Sequence, residues 1–382
     1  MSETDETKVA TLNSWLAMPM EDSARNAIER VRRADDVLHV AVMPDVHLAR
    51  DVCVGTAMAT RRLIYPSAVG GDIGCGMLAC AFDASADLLR DANNAGRILR
   101  LLGERIPTHR RHRSRALPHP PMLRSSDLSH PALRAVADGE AGPQLGTLGG
   151  GNHFIELQSD ENDRLWLMIH SGSRVLGQEV KSHHLARATI RSASMMALDA
   201  DTSEGQAYLR DQEWARAFAE ANRIAMATEV AGILRDEFKI RQLDELTIGC
   251  DHNHVRREEH FGQSLLIHRK GAMPADAGLP GVIPGSMGTL SLHVEGRGCP
   301  ESLRSSGHGA GRLFSRRAAR DRFNRSDLRR QMDGVWFDPR LSDSLREESP
   351  KSYKDVRAVM RAQAELVKIV RTVRPVLVYK GR

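Results

Sequence analysis

The chain is poor in lysine, paired cysteines and long apolar runs, and each shortage excludes something. Only 8 of its 54 basic residues are lysine. Arginine suits bidentate phosphate contacts, but the bias also follows from genome composition. The five cysteines, Cys53, Cys75, Cys80, Cys250 and Cys299, form no C-x-x-C pair, which argues against a zinc finger. Their odd number, without a secretory leader, points to a reducing cytosol and a cytoplasmic protein. The opening MSETDETKVATLN is acidic and polar, the reverse of a signal peptide. No apolar run approaches the roughly 18–20 residues of a membrane span, so no membrane partner is expected. There is no G-x-x-x-x-G-K-[ST] and no strand-linked G-x-G-x-x-G, so a P-loop and a dinucleotide fold are both excluded.

What is present is ordinary globular composition: 382 residues, 41% hydrophobic and 27% charged. A net charge of +5 fits a polyanionic partner and by itself decides nothing. Apolar runs at Val37–Val42, Leu165–Ile169 and Val376–Tyr379 read as strands that deliver functional loops. Helical spacing predicts one helix over about Gln206–Phe238 and a second over about Lys354–Thr372. In the second, Val356, Val359, Met360, Val367 and Val370 share a face, Ser352 and Asp355 suit its start, and Arg374-Pro375 ends it. Residues 108–125, with HRRHRSR, read as an exposed basic loop. Motifs run from residue 43 to residue 381 without a boundary, so residues 1–382 are expected to form one large domain of mixed α and β structure.

Metal-binding side-chain types recur in turns with glycine in or near them. Asp72 and Cys75 lie in AVGGDIGCGM, His153 in GTLGGGNHF, His170 opens HSGSR, His252 lies in DHNHV and His308 in SSGHGAGR. Glycine lets the backbone approach a ligand closely, and Asp, Cys and His bind transition metals. Taken alone, Cys75 reads as a small buried core residue, and each histidine as a structural one. Together they suggest a polynuclear metal site beside a reactive imidazole. Backbone amides of Gly149-Gly150-Gly151, and of Gly285, Ser286 and Gly288, are candidates to face phosphates. Arg174, four residues after His170, could hold a phosphate oxygen. The apolar run before Lys380 argues for a buried terminal strand, where an ammonium needs an anionic partner. His254, the second histidine of DHNHV, has no role assigned by sequence.

These segments together resemble the RtcB family of RNA-splicing ligases. The resemblance rests on MPDVH at 43–47, AVGGDIGCGM, GTLGGGNHFIEL, HSGSR, DHNHV, RKGA, PGSMG, HGAGRLFSR, SYKDV at 352–356 and VYKG, in that order over nearly the whole chain. The chain looks like a compact, divergent branch. It departs from the family at His47-Leu48-Ala49-Arg50-Asp51, where glycines usually follow the histidine; the loop shape and RNA-end preference are expected to differ with it.

The resemblance implies an α+β fold around a central dinuclear metal cleft. It implies a GTP- and manganese-dependent ligase that joins RNA 2′,3′-cyclic phosphate or 3′-phosphate ends to 5′-hydroxyl ends, in RNA repair or tRNA splicing. On that pattern His308 takes GMP, and Lys380 neutralises the transferring phosphate. Asp72, Cys75 and His153 hold one Mn²⁺; Cys75, His170 and His252 hold the other. Asn152, Glu156, Ser286, Ala310, Gly311, Tyr353 and Lys380 bind the nucleotide, with Tyr353 stacking on guanine. Arg174, Arg269, Arg312 and Arg316 are expected to contact RNA, and archease is an expected activating partner. Imidazole and thiolate alone suggest zinc, so manganese is carried by the resemblance. The rival reading is a two-metal RNA cyclic phosphodiesterase without ligation, for which neither His308 nor Lys380 is needed. A second rival, a non-catalytic RNA-binding module, leaves the ligand set unexplained.

Overall fold

All three expected strands form, and each is longer than its apolar run. They are Val37–His47, Arg164–Ser171 and Val367–Lys380. The computed structural model describes residues 9–108, 116–118 and 120–381. Within these the chain is mixed helix and sheet, as expected. A seven-stranded antiparallel sheet has the order Gln242–Asp251, Gly76–Ser85, Arg164–Ser171, Phe154–Asp160, Val367–Lys380, Ser291–Gly296, Pro280–Ile283. A five-stranded sheet has the order Thr11–Ser14, Val37–His47, Val54–Thr60, Gln263–Lys270, Asn253–His260.

Strand register explains why distant motifs meet. In the larger sheet Gly76 pairs with both Ser171 and Asp251, and Phe154 pairs with both His170 and Lys380. One end of that sheet therefore collects residues next to Cys75, His153 and His252, with His170 and Lys380 themselves. In the smaller sheet His47 pairs with Val54, and Asn253 with Lys270. His252 is the single residue between a strand of the larger sheet and a strand of the smaller. The two sheets thus touch end to end at the metal-ligand loops.

The expected long helix is observed as Ser203–Phe238, capped by Thr202. Its apolar residues enter two clusters, around Met226, Val230 and Ile233 and around Tyr208, Trp214 and Phe218. Its buried polar residues clamp the site loops. Asn222 Nδ2 donates to the Thr147 and Gly172 carbonyls and to Ser171 Oγ, while its Oδ1 accepts from the Gly146 and Thr147 amides. Arg223 donates to the Gly74 and Ser171 carbonyls at 2.8 and 2.9 Å.

The second expected helix is corrected. Only Val356–Ala362 is helical, and Val367–Thr372 belongs to the strand Val367–Lys380. VKIVRTVRPVLVY is rich in β-branched residues, which pack well on a pleated surface, and Val367 and Val370, which a helix would put on one face, fall on opposite faces of the strand, one buried and one exposed. Arg374-Pro375 lies inside that strand, at a register shift between Pro375 and Leu377, a place where a missing N–H is tolerated. Of the expected basic loop, residues 109–115 and 119 lie outside the described residues; of the remainder, Met122 is exposed and Leu123 buried.

Candidate active site

The five expected metal ligands converge. Cys75 Sγ lies 3.2 Å from His170 Nε2 and 3.6 Å from His153 Nε2. His170 Nε2 is 3.4 Å from His252 Nε2, and His153 Nε2 is 2.9 Å from Asp72 Oδ2. The donors form two triads, Asp72–Cys75–His153 and Cys75–His170–His252, with Cys75 common to both. Carbonyl oxygens set the imidazole tautomers. His153 Nδ1 is 3.0 Å from the Leu148 carbonyl, and His170 Nδ1 is 3.2 Å from that of Asn152. A carbonyl only accepts, so each Nδ1 carries the proton and each Nε2 turns a lone pair to the cluster.

The electrostatics fit a cation. Burial, then the charges of neighbouring imidazoles, holds His170 and His252 well below the ordinary histidine value. Burial and the Asp72 charge push the Cys75 thiol well up, so a thiolate there needs a positive partner. Burial pushes Asp72 up too, but His153, Cys75 and His170 together outweigh it and hold the carboxyl down to about 2. A sulfur, two neutral imidazoles, a third imidazole and a carboxylate whose lone pairs converge form a donor set for transition-metal ions.

Beside the cluster is a cleft of about 380 Å³. His308 lines it, its ring 4.5 Å from that of His252. His308 Nδ1 sits 2.6 Å from Oδ2 of Asp45, a fully buried carboxylate. That contact puts Nδ1 on the Asp45 side of the ring, which leaves Nε2 as the candidate nucleophilic nitrogen. Gly311, at φ +74°, is needed here, because a Cβ would run into the Asp45 backbone.

Lys380 also lines the cleft, and its anionic partner is Glu348: Nζ lies 3.2 Å from Oε2, both side chains being about 5% exposed or less. Glu348 also receives Arg312, Arg316 and the Tyr353 hydroxyl. Burial pushes Glu348 up, but Lys380, then Arg312 and Arg316, hold it down to about 2. Burial pushes Glu156 the other way, up to about 7, against the pull of Gln158 and Lys380. Asn152, Glu156, Ser286, Ala310, Gly311 and Tyr353 all line the same cleft.

The four arginines separate. Arg312 and Arg316 line the cleft. Arg174 does not; its Nε donates to Thr147 Oγ1, and its guanidinium packs where a Cβ on Gly149 would be. The triple glycine thus makes room for side chains, and neither Gly149, Gly150 nor Gly151 borders the cleft. The expectation that Arg269 contacts RNA is overturned. Arg269 is fully buried, donating to both Glu258 oxygens, to Ser305 Oγ and to the Leu303 carbonyl. His254 belongs to the same interior network, between Arg269 and Asp251.

Sequence reasoning missed Asp45 and Glu348 as site residues. Asp45 stands inside MPDVH, where an acid in an otherwise apolar strand was a usable signal. Glu348, in REESP, carried none.

A family model described as "tRNA-splicing ligase RtcB" matches residues 27–128 and 122–381. The chain is 35% identical over 407 residues to the RNA-splicing ligase RtcB of Escherichia coli (strain K12), covering 98% of each protein. It is 28% identical to the tRNA-splicing ligase RtcB of Thermococcus kodakarensis, over 89% of this chain and 87% of that protein. It is 32% identical to the tRNA-splicing ligase RtcB of Nanoarchaeum equitans, over 62% of this chain and 60% of that protein.

Proposed function

Because this chain belongs to the RtcB family, we propose that it is an RNA ligase. It joins ends carrying a 2′,3′-cyclic phosphate or 3′-phosphate to 5′-hydroxyl ends, through a histidine–GMP intermediate on His308. The observation that carries this reading is the pairing of His308 Nδ1 with Asp45, 2.6 Å apart, beside the two donor triads. A hydrolase whose water is activated by bound metal ions can work without such an imidazole, whereas a histidine nucleophile requires one.

In the proposed reaction His308 Nε2 attacks the α-phosphorus of GTP. The bond to the bridging oxygen breaks, and pyrophosphate leaves. Where the RNA ends in a 2′,3′-cyclic phosphate, water first opens it: the phosphorus–O2′ bond breaks, the 2′-oxygen takes a proton, and a 3′-phosphate remains. An oxygen of the RNA 3′-phosphate then takes the GMP from His308. The 5′-hydroxyl oxygen finally attacks the 3′-phosphorus, GMP leaves, and the hydroxyl proton passes to solvent. Lys380, Arg312 and Arg316 offer the cationic side of the cleft to these phosphates. Asp72, Cys75, His153, His170 and His252 would hold two divalent ions, which we take to be manganese. Such ions supply Lewis-acid polarisation of phosphoryl oxygens. We read residues 1–382 as one catalytic domain, since His252 joins a strand of the larger sheet to a strand of the smaller. Archease is proposed as an activating partner. No helix among the described residues is long and apolar enough to cross a membrane.

The test is incubation with α-labelled GTP and manganese, followed by denaturing electrophoresis. Acid-labile, base-stable label on the protein, lost in His308→Ala, is expected. A folded protein that opens cyclic phosphates yet never takes label would instead be a phosphodiesterase.

A further inference from the structure

SYKDV places two neighbours on different sides of the site. Tyr353 lines the cleft, whereas Lys354 lines only a second cavity that shares Tyr353 with it. Lys354 reaches the strand Val37–His47, whose pairing with Val54–Thr60 skips residues 43–46. Carbonyls left out of a ladder need another donor. The Lys354 ammonium supplies one, donating to the Val46 carbonyl at 2.8 Å and to the Pro44 carbonyl at 3.0 Å.

Those two carbonyls flank Asp45. The Lys354 main chain closes the other side. Its amide donates to the Gly311 carbonyl at 3.0 Å, and Gly311 is the residue packed directly on the Asp45 backbone. One residue therefore grips the Asp45 main chain from both of its own ends.

The Asp45 side chain has little else to hold it. Among the described residues Oδ1 has no hydrogen-bond partner, and Oδ2 accepts from the His308 amide. Its aim at His308 Nδ1, 2.6 Å away, thus depends on the main chain that carries it. Lys354 has no ion pair within 4.0 Å among the described residues, so its grip is on that main chain and not on the carboxylate.

We propose that Lys354 is a positioning residue for guanylylation: it holds Asp45 where Asp45 orients the His308 ring, without bordering the nucleotide cleft itself. The proposal rests on the reading of His308 as the nucleophile.

The test is a double-variant cycle on the full chain. It reads the rate of labelling from α-labelled GTP over a range of GTP concentrations, beside melting curves. Lys354→Met keeps the stem and removes the donors. Its maximal labelling rate is expected to fall roughly 10- to 100-fold, the scale of a reacting group misplaced by up to an ångström, with half-saturating GTP unchanged. Asp45→Ala removes the group through which Lys354 acts. Combining Lys354→Met with Asp45→Ala is therefore expected to label no more slowly than Asp45→Ala alone. Should Lys354→Met fail to fold, Lys354→Gln, which keeps an amide donor for one carbonyl, enters the same cycle. Losses that multiply in the double variant, or a rise in half-saturating GTP alone, refute the positioning role and leave the His308 reading standing. So does a folded Lys354→Met that labels as the wild type does. A wild-type chain that takes no label overturns both.

Discussion

His308 and Asp45 are 263 residues apart in sequence, yet the His308 backbone amide and Nδ1 both approach Oδ2 of Asp45, at 3.1 and 2.6 Å. One carboxylate therefore holds the backbone of the proposed nucleophile by a hydrogen bond and sets its charge against the ring. Asp45→Asn keeps the shape and removes the charge. The rate of GMP labelling is expected to fall roughly 10- to 100-fold, the usual effect of losing a group that orients a functional imidazole. Rapid-quench labelling beside a melting curve checks this; wild-type labelling in a folded variant would show that the pair is only structural.

Cys75 belongs to both donor triads. Cys75→Ala is expected to lose metal from both sites, not from one. Metal analysis of protein loaded with manganese and then desalted measures this directly. Wild-type metal content would make Cys75 a core residue.

Glu348 is the buried anion shared by Lys380, Arg312 and Arg316. Glu348→Gln leaves the Lys380 ammonium buried without its counter-charge. Breaking such a pair costs about 3–5 kcal/mol, which urea unfolding at neutral pH would register. The acid dependence follows with a definite sign. Glu348 and Glu258 are both held down to about 2 in the folded chain, below the roughly 4.3 of an unfolded glutamate. Their stabilisation is complete above pH ~4.3 and is lost as pH falls toward 2. Glu348→Gln should therefore show a shallower acid limb than the wild type; parallel limbs would remove Glu348 from this role.

Arg269 separates stability from RNA binding. With its guanidinium buried against Glu258, Arg269→Ala should destabilise the fold by about 3–5 kcal/mol. The salt slope of RNA binding should not change. A changed slope would return Arg269 to the RNA surface.

The metal ligands were legible because their side-chain types are chemically singular and each is announced locally by nearby glycine. The long helix was legible because its 36 residues contain no proline and its apolar residues recur at roughly helical spacing. Its clamping function was not: Asn222 and Arg223 are ordinary polar residues until the loops they hold arrive from elsewhere in the chain. The boundary at residue 367 was misread because valines three apart read as one helical face, whereas on the strand Val367 is buried and Val370 exposed. The neighbouring strands Phe154–Asp160 and Ser291–Gly296 decide that case.

By itself the sequence determined which atoms could do chemistry: the thiol, the imidazoles, the carboxylate of Asp72 and the terminal ammonium of Lys380. It also demanded an anion for that ammonium without naming it. Tertiary structure decided the partners, pairing Lys380 with Glu348, His308 with Asp45, and Arg269 with Glu258 away from the surface. The reason is physical. A residue's type and its turn are local properties, written in a few neighbouring letters. Which charge it faces, and whether water reaches it, depends on strand register and sheet contact across the whole chain.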